Sequence, residues 1–498
     1  MPPVTRVLAP EPVRTLADYL GAGGGRGLDV ARRVDPDAII DEVETSGLQG
    51  RGGAGFPAGR KWRTVAAMDS PSIPSTVVVN GAEGEPGSFK DRAILRANPY
   101  HVLEGAIIAA RAVRADRIIV GVKRAFTHEV ARLRRAIDEA DHEGWTDGLK
   151  VWVFEGPSEY LYGEETALLE CIDGRYPFPR IAPPWRRGVE EVVASDADVT
   201  TGSASAAHVE MTAPQGESEA PPTLASNVET FANVPAIIAE GADWFRSVGT
   251  DGSPGTIVCT ITGRARRHGV AEFAMGTPMS EAIEVIGGGP EAGHHLLGAL
   301  SGVSNPMLPA ALFDTPMSHE AMRAQGTGLG TGGFILYDER DDPAAIAAGV
   351  SRFLAVESCG QCTPCKLDGL ALAERLAHVA QSEPDEPAER DPAVEDLDAI
   401  DGLIRTVTDS ARCNLAYQQH DVVDSILGLF EDRFRDHLLG ALPPAEPETI
   451  APIVDIVDGR AVLDERQRAK QPDWTYDTEY SGKTPADRLD DHRAHEQL

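Results

Sequence analysis

An α/β unit, then a small α+β module, then an all-helical region is the succession this sequence predicts, on three observations. Apolar runs at Thr76–Asn80, Arg117–Val122 and Val151–Phe154 alternate with helix-like spacing over Pro99–Arg114 and Phe126–Ala140. That alternation is the pattern of βαβ units around a parallel sheet. Residues 245–335 carry short strands such as Thr256–Thr262, Gly and Pro turns, and a helix near Met279–Ile286. From about residue 342 the period becomes helical, over Pro343–Val356, Leu367–Ala380 and Val422–Leu438.

The remaining stretches follow from composition. Residues 1–40 form a Gly-rich N-terminal extension with one short helix around Val13–Leu20, ahead of the α/β unit at 41–244. Within that unit, 195–222 is rich in Ser, Ala, Asp, Glu and Pro, which predicts an exposed acidic insertion. Gln381–Pro392 is an acidic loop inside the helical region at 342–440, and 441–498 predicts a polar, extended tail.

A hydrophobic share of 42% over 498 residues supplies ample cores and excludes a disordered chain. The N-terminus shows no secretory pattern and no uncharged apolar run reaches membrane-spanning length, so a cytoplasmic protein is expected, peripheral to a membrane only through partners. The net charge of −32, from 78 acidic against 46 basic residues, disfavours nucleic acid as a partner. Only seven of the basic residues are Lys. Acid excess with scarce Lys predicts a halophilic protein whose self-repulsion concentrated salt screens.

The most informative stretch is Glu357-Ser-Cys359-Gly-Gln-Cys362-Thr-Pro-Cys365-Lys. With Cys413 it supplies four thiolates, the number one [4Fe–4S] cubane requires. Four cysteines also serve structural zinc, but zinc sites usually show paired CxxC units. A CxxCxxC triplet with a remote fourth Cys fits a cluster better, which makes the protein a carrier of single electrons. Cys171 and Cys259 are left as small buried hydrophobes, without a disulfide framework.

Three loops carry further chemistry. Gly50-Arg51-Gly52-Gly53-Ala54-Gly55-Phe56-Pro57 lets backbone amides approach an anion, with a helix N-terminus following and Arg51 and Lys61 adding charge. It reads as a phosphate-bearing cofactor loop or a plain Gly-rich turn. Asn80-Gly-Ala-Glu83-Gly-Glu85-Pro-Gly87 follows a strand, where an Asn and two carboxylates suit hydroxyls and amides; the bland reading is a solvated acidic turn. In Tyr160-Leu-Tyr-Gly163-Glu164-Glu165, both Glu are expected in the first turn of a helix. Gly287–Pro290 and Gly326–Gly333 are taken as turns, the second entering a strand at Phe334–Tyr337, and His294-His295 as surface or packing residues.

These motifs, in this order, resemble the flavin-carrying, NADH-binding F subunits of respiratory complex I, a family shared with diaphorase subunits of NAD-linked hydrogenases and formate dehydrogenases. The likeness rests on Gly50–Phe56 with Lys61-Trp62, Asn80–Gly87 with Phe89-Lys-Asp-Arg, Gly163–Leu169, Asn227-Val-Glu-Thr230, Glu357–Cys365 and Cys413. It implies an FMN-binding α/β domain, a ubiquitin-like β-grasp domain at 245–335 and a helical bundle holding the cluster on Cys359, Cys362, Cys365 and Cys413. FMN would lie among Gly50, Arg51, Gly52, Gly53, Lys61, Asn80, Glu83, Tyr160, Gly163, Glu164, Glu165, Ser226 and Asn227. NADH would meet Phe56, Lys61, Glu85, Glu165 and Trp185, with Glu83 and Glu165 as the catalytic carboxylates. A flavin couples hydride uptake to one-electron transfer, which is what joining NADH to a cluster demands. A thioredoxin-like iron–sulfur subunit is the partner the likeness implies.

The chain departs from the family pattern at Ala82 (usually Asp), Ala182 (usually Lys), Ser226 (usually Asn) and near Thr64, where an aromatic is missing. These losses concern the nucleotide's surroundings more than the cluster. Two alternatives stay open: a diaphorase subunit of a soluble formate dehydrogenase or hydrogenase, and a non-catalytic assembly subunit that keeps fold and cluster.

Overall fold

The computed structural model describes residues 4–68, 74–189, 222–382 and 392–472. The acidic insertion, all but its last residue, the core of the loop at Gln381–Pro392 and the last part of the tail lie outside the described residues.

Four helices open the chain: α1 (Leu16–Gly21), α2 (Arg26–Ala31), α3 (Pro36–Ser46) and α4 (Ala58–Ala66). The α/β layer follows as β1 (Ser75–Gly81), α5 (Lys90–Ala97), α6 (Pro99–Ala112), β2 (Ala115–Lys123), α7 (Thr127–His142), β3 (Lys150–Gly156), α8 (Glu165–Ile172), β4 (Thr223–Asn227), α9 (Val228–Glu240) and α10 (Ala242–Arg246). Its four strands are all parallel, in the order β3-β2-β1-β4. Both faces are covered, which is why β1 reads as an unbroken Val-rich run. Val77 and Val79 point into the larger core with α6, α7 and α9, while Val78 joins Ile119, Leu168 and Cys171 under α8. A strand's period of two makes that division.

Within the segment expected as an N-terminal extension, residues 4–40 pack onto the α/β unit. Leu16, Tyr19, Leu28 and Ala31 are buried in the first core. The buried carboxylate of Glu104 in α6 accepts from Tyr19 Oη (2.7 Å) and from the amides of Gly25 and Leu28 (both 2.9 Å), so one side chain caps α2 from outside. A long-range cap of this kind leaves no local signal.

The second sheet comprises β5 (Thr256–Gly263), β6 (Gly269–Ala274), β7 (Leu296–Ser301), β8 (Leu308–Pro309) and β9 (Gly333–Asp338), in the mixed order β6-β5-β9-β7-β8. It packs on α11 (Met279–Ala282) and the short helix α12 (His319–Ala324), around Cys259, Ile261, Met279 and Phe334. Four helices follow: α13 (Pro343–Glu357), α14 (Thr363–Ala380), α15 (Pro392–Thr406) and α16 (Leu415–Leu438), enclosing Ile346, Leu372, Ile400 and Val423. No helix among the described residues is long and apolar enough to cross a membrane.

The described part of the tail is likewise packed rather than free. A hairpin of β10 (Ile453–Val457) and β11 (Arg460–Leu463) folds back, with Ile450, Ala451 and Ile453 buried. The tail is polar in sequence because its contacts are backbone carbonyls and ion pairs, which hydrophobic periodicity does not register.

Candidate functional site

The chain runs outward from β1 through β2 to β3 and then returns to lay β4 on the other side of β1. Ligands of open α/β sheets bind at such a reversal, beyond the carboxyl ends of the strands. Asn80 and Asn227 stand opposite one another there, in register. Asn227 caps α9 by accepting from the Glu229 amide (3.0 Å).

Three predicted loops converge on this point. Asn80 Nδ2 donates to Gly163 O at 2.8 Å, joining the second loop to the third. Gly52 lies over Asn227, and Gly53 lies against Gly330 in the turn entering β9. The glycines at this convergence differ in kind from those elsewhere. A Cβ added at Gly59 or Gly105 would come within 2.4 or 2.0 Å of backbone, so packing demands those two. At Gly50 and Gly52 an added Cβ would meet nothing closer than 3.5 and 3.4 Å, and neither has a positive φ. The protein's own packing leaves these two positions free to carry a side chain, which fits a cradle kept open for a bound group. Helix α4, which follows, has no side-chain cap on its first amides.

Lys61 and Glu165 form an ion pair at the edge of the cradle, bringing two predicted residues together. Phe56 is 47% exposed, with the Arg60 guanidinium 6.0 Å from its ring centre. Ser226 lies one residue before the carboxyl end of β4, paired with Val79. Trp185 is half-buried against the first core, and the neighbouring Pro184 carbonyl accepts from Thr223.

Four expectations need correction. Arg51 brings no charge to the loop: its guanidinium is buried and donates to the carbonyls of Gln49, Pro254 and Thr256, at 3.0–3.2 Å. Glu83 is not placed as a catalytic carboxylate. It is buried and accepts from Ser88 Oγ (2.7 Å), the Asp91 amide (3.1 Å) and Arg92 Nε (3.1 Å), closing its own loop onto α5. Glu85 is also internal, accepting from Tyr160 Oη (2.6 Å), the Val303 amide (2.7 Å) and Ser304 Oγ (2.8 Å). Burial raises its pKa against those donors. Its carboxylate therefore ties the first sheet's loop to the second sheet. Glu164 is the N-cap of α8 rather than part of its first turn, accepting from the Thr166 and Ala167 amides. A short acidic loop and a buried acceptor loop have the same composition, which is why the sequence did not separate them.

Two features went unseen. Lys90, of the Phe89-Lys-Asp-Arg stretch, is buried with Nζ 2.7 Å from Asp91 Oδ1, 2.8 Å from Asn227 Oδ1 and 3.0 Å from Glu229 Oε2. It anchors the Asn227 side chain directly beneath Gly52. Lys123, at the end of β2, is 3% exposed and donates to Ser158 O at 3.0 Å. Burial lowers its pKa from 10.5 to about 8. A lysine whose folded-state pKa lies below its unfolded one penalises folding in full below the lower value, and the penalty fades as pH rises towards 10.5. Lys123→Met is accordingly expected to stabilise the protein at pH 7 by on the order of 2 kcal/mol. Thermal melts at rising pH should show the advantage shrinking; an advantage constant with pH would contradict the assignment.

The cysteines form a second centre. Cys359, Cys362, Cys365 and Cys413 line one cavity with Leu161, Pro179, Ser358, Gln361, Ala411, Arg412, Leu415 and Ala416. Cys362 occupies the N-cap position of α14 without a side-chain capping bond, Cys365 lies in its first turn, and Cys413 stands two residues before α16. Both helices therefore turn their positive ends to the sulfurs, which favours thiolates. Gln361 Nε2 lies 3.4 Å from Cys359 Sγ, and Ser358 Oγ 3.3 Å from Cys365 Sγ. Among the described residues no three of these sulfurs come within 4.8 Å of one another. A tetrahedral zinc site with 2.3 Å bonds would hold its thiolates about 3.8 Å apart. The apolar lining and the Gln361 amide and Ser358 hydroxyl beside the sulfurs fit an iron–sulfur cubane. Burial pushes the Cys365 thiol up to about 11 and the Cys413 thiol up to about 12, so thiolates here depend on a metal's charge.

The two centres share one element. In the 3₁₀ turn Tyr160–Gly163, Leu161 lines the cysteine cavity while Gly163 holds Asn80 at the cradle. Two residues of such a turn amount to about 4 Å of rise. Tyr160 Oη also contacts Gln418 of α16 (3.1 Å to Nε2), and its ring packs edge-on against Phe353 of α13.

Comparison with known proteins agrees with both centres. Residues 43–236 match the family model of the Nuo51 FMN-binding domain, and 345–437 match the NADH-ubiquinone oxidoreductase-F iron-sulfur binding region. The NADH-quinone oxidoreductase F subunit of Rickettsia typhi is 37% identical over 344 residues, 66% of this chain and 74% of that one. The corresponding F 2 subunit of Rhizobium meliloti is 34% identical over 361 residues, 70% of this chain and 79% of that one. Among solved structures, the NAD+-reducing [NiFe]-hydrogenase in its H2-reduced state matches with a TM-score of 0.69 at 27% identity. That match covers 88% of this chain and 68% of the hydrogenase chain.

Proposed function

The chain belongs to the family of NADH-quinone oxidoreductase F subunits, and on that premise we propose how its residues serve an NADH dehydrogenase electron-input subunit that uses FMN and one [4Fe–4S] cluster. FMN supplies the conversion of a hydride's two electrons into single ones. The chain's residues bind and orient. Gly50, Gly52 and Gly53 give close backbone approach; Asn80, Gly163 and Asn227 form the wall at the strand ends. Lys61 with Glu165 offers polar contacts at the rim, and exposed Phe56 a stacking surface for NADH. The observation that carries this reading is the shared turn, Leu161 on the cysteine cavity and Gly163 on the cradle, which keeps the two centres adjacent.

The second sheet's mixed order with α11 against it supports a β-grasp domain, and α13–α16 support a helical bundle as the cluster's support. We place the domain limits near 41–244, 245–335 and 342–440, with the N-terminal helices added to the first; the helical cluster also takes in Leu161, Leu300 and Tyr337 from the two preceding units. The electrons would pass to partner subunits, a thioredoxin-like iron–sulfur protein among them, with the chain cytoplasmic and peripheral to a membrane. A net charge of −32 supports a protein suited to concentrated salt. A diaphorase role in a soluble hydrogenase is the second reading, favoured by the match to the NAD+-reducing enzyme.

Protein reconstituted with FMN, iron and sulfide should be yellow-brown and reduce ferricyanide with NADH; a colourless, inactive product overturns the reading. Gly52→Ala tests the cradle itself. Its Cβ would have ordinary contact with Asn227, so thermal stability should hold within ~1 kcal/mol while FMN binds at least about tenfold more weakly. Unchanged FMN affinity by fluorescence quenching would remove Gly52 from the site.

A further inference from the structure

The iron–sulfur family match ends at residue 437, yet the chain beyond it crosses all three cores. The Ala445 amide donates to Ala380 O (2.7 Å) at the end of α14, and the Glu448 amide to Ala345 O (2.9 Å) in α13. The hairpin then meets the α/β layer. Arg92, buried between the Phe89 and Phe126 rings, donates to Val454 O (2.9 Å), and Arg96 pairs with Asp455 (2.7 Å). On the second sheet, the His268 amide donates to Gly459 O (2.6 Å) and His268 Nδ1 accepts from the Ala461 amide (2.8 Å).

Past the hairpin the chain returns to α13. The Arg352 guanidinium donates to the carbonyls of Gln467, Arg468 and Lys470, at 3.0–3.2 Å. Gln467 Nε2 and Lys470 Nζ both reach Glu357 Oε1, at 3.0 and 2.6 Å. The other oxygen of Glu357 accepts from the Tyr160 amide at 3.0 Å. The Glu357 side chain is only 3% exposed, two residues before Cys359 and bonded to the turn that carries Leu161 and Gly163. A buried carboxylate in that position needs a countercharge, and Lys470 supplies one.

We propose that residues 441–470 form a strap fastening the flavin-binding loops to the cluster-bearing helices, and that Lys470 is a positioning residue for electron passage between them. It does so by neutralising Glu357 at the junction. The inference rests on Cys359, Cys362, Cys365 and Cys413 holding a cluster. An electron arriving beside a carboxylate that has lost its ion-pair partner is repelled more strongly, so loss of the ammonium lowers the potential at which the cluster is reduced, even with buried Lys123 nearby.

EPR-monitored redox potentiometry of the full chain, loaded with FMN and cluster, tests this in Lys470→Met, Lys470→Arg and Glu357→Gln. Lys470→Met should shift the oxidised-to-reduced ratio of the cluster about tenfold towards oxidised, equivalent to about 59 mV for one electron. Glu357→Gln should shift it the other way, and Lys470→Arg should stay within about twofold of the parent. Lys470→Gln, read in the same way, stands in should the Met variant not accumulate folded. An unshifted ratio in the neutral Lys470 variant, or shifts of the same sign for neutral Lys470 and Glu357 variants, would overturn the proposal. Absence of a cluster signal in the parent protein would instead overturn the cysteine assignment, and this inference with it.

Discussion

Cys413→Ser should leave a yellow protein without its brown component: iron and acid-labile sulfide fall from about four per chain to below about one, while bound FMN persists. The physical basis is the placement of the four sulfurs. Cys359 and Cys362 come from the short loop between α13 and α14 and Cys365 from the first turn of α14, and the fourth thiol stands two residues before α16, so Cys413 is the one sulfur supplied from a separate segment. No other thiol can take its place, because Cys171 is buried on α8 against the first sheet and Cys259 lies inside the second sheet's core. A serine oxygen is a hard donor with a far higher pKa than a thiol, and iron–sulfur centres are held by soft thiolates. The Cys359 and Cys365 thiols then revert to the neutral form that burial favours, Cys365 at about 11. NADH-dependent ferricyanide reduction should fall much less than the iron content, since the cradle stands on the first sheet. Iron analysis and the low-temperature EPR spectrum decide: a Cys413→Ser variant with its full iron complement would mean that Cys413 is not a ligand.

How much of this was legible in the sequence depends on whether the signal is local. Three of the four parallel strands, all but β4, announced themselves as short apolar runs, and the cysteine triplet as a spacing, because both are properties of neighbouring residues. The converging loops were legible as short Gly-containing segments, the second and third of them following strands. What the sequence hid was direction. Arg51 beside four glycines looks like a phosphate contact, yet three carbonyls of other segments hold its guanidinium. Glu83 and Glu85 look like solvated acids, yet both are buried acceptors satisfied from α5, Tyr160 and the second sheet. Charged residues are mostly exposed, so a buried one is invisible until its partners, distant in sequence, are brought to it. The packing of the tail and of the N-terminal segment, whose one predicted helix corresponds to α1, was missed for the same reason: Glu104, Arg92 and Arg352 hold them by carbonyls, amides and hydroxyls rather than by apolar periodicity.

The same hidden charges yield the largest stability effect. Lys90→Met is expected to cost about 3–5 kcal/mol of folding stability, because removing one member of a buried ionic group strands the others. Lys90 is 1% exposed, and Asp91, Asn227 and Glu229 all depend on its ammonium. Burial works against that charge, but the Asp91 and Glu229 carboxylates more than compensate, and the Lys90 pKa is raised. Its contribution is therefore present throughout the neutral range and lost only at strongly alkaline pH. Asp91 shows the opposite balance: burial lifts its pKa to about 6 even with Lys90 beside it. An acid whose folded pKa exceeds its unfolded one binds its proton more tightly when folded, so it erodes stability as pH rises between the two values. Removing Lys90 lifts the folded value further and extends that window upward. The deficit of Lys90→Met should thus be larger at pH 8 than at pH 5, in urea unfolding followed by circular dichroism. Asn227 would also lose one of the two donors to its Oδ1 beneath Gly52, so FMN affinity should fall together with stability. A variant as stable as the parent at pH 8 would show that Lys90 bears no such load.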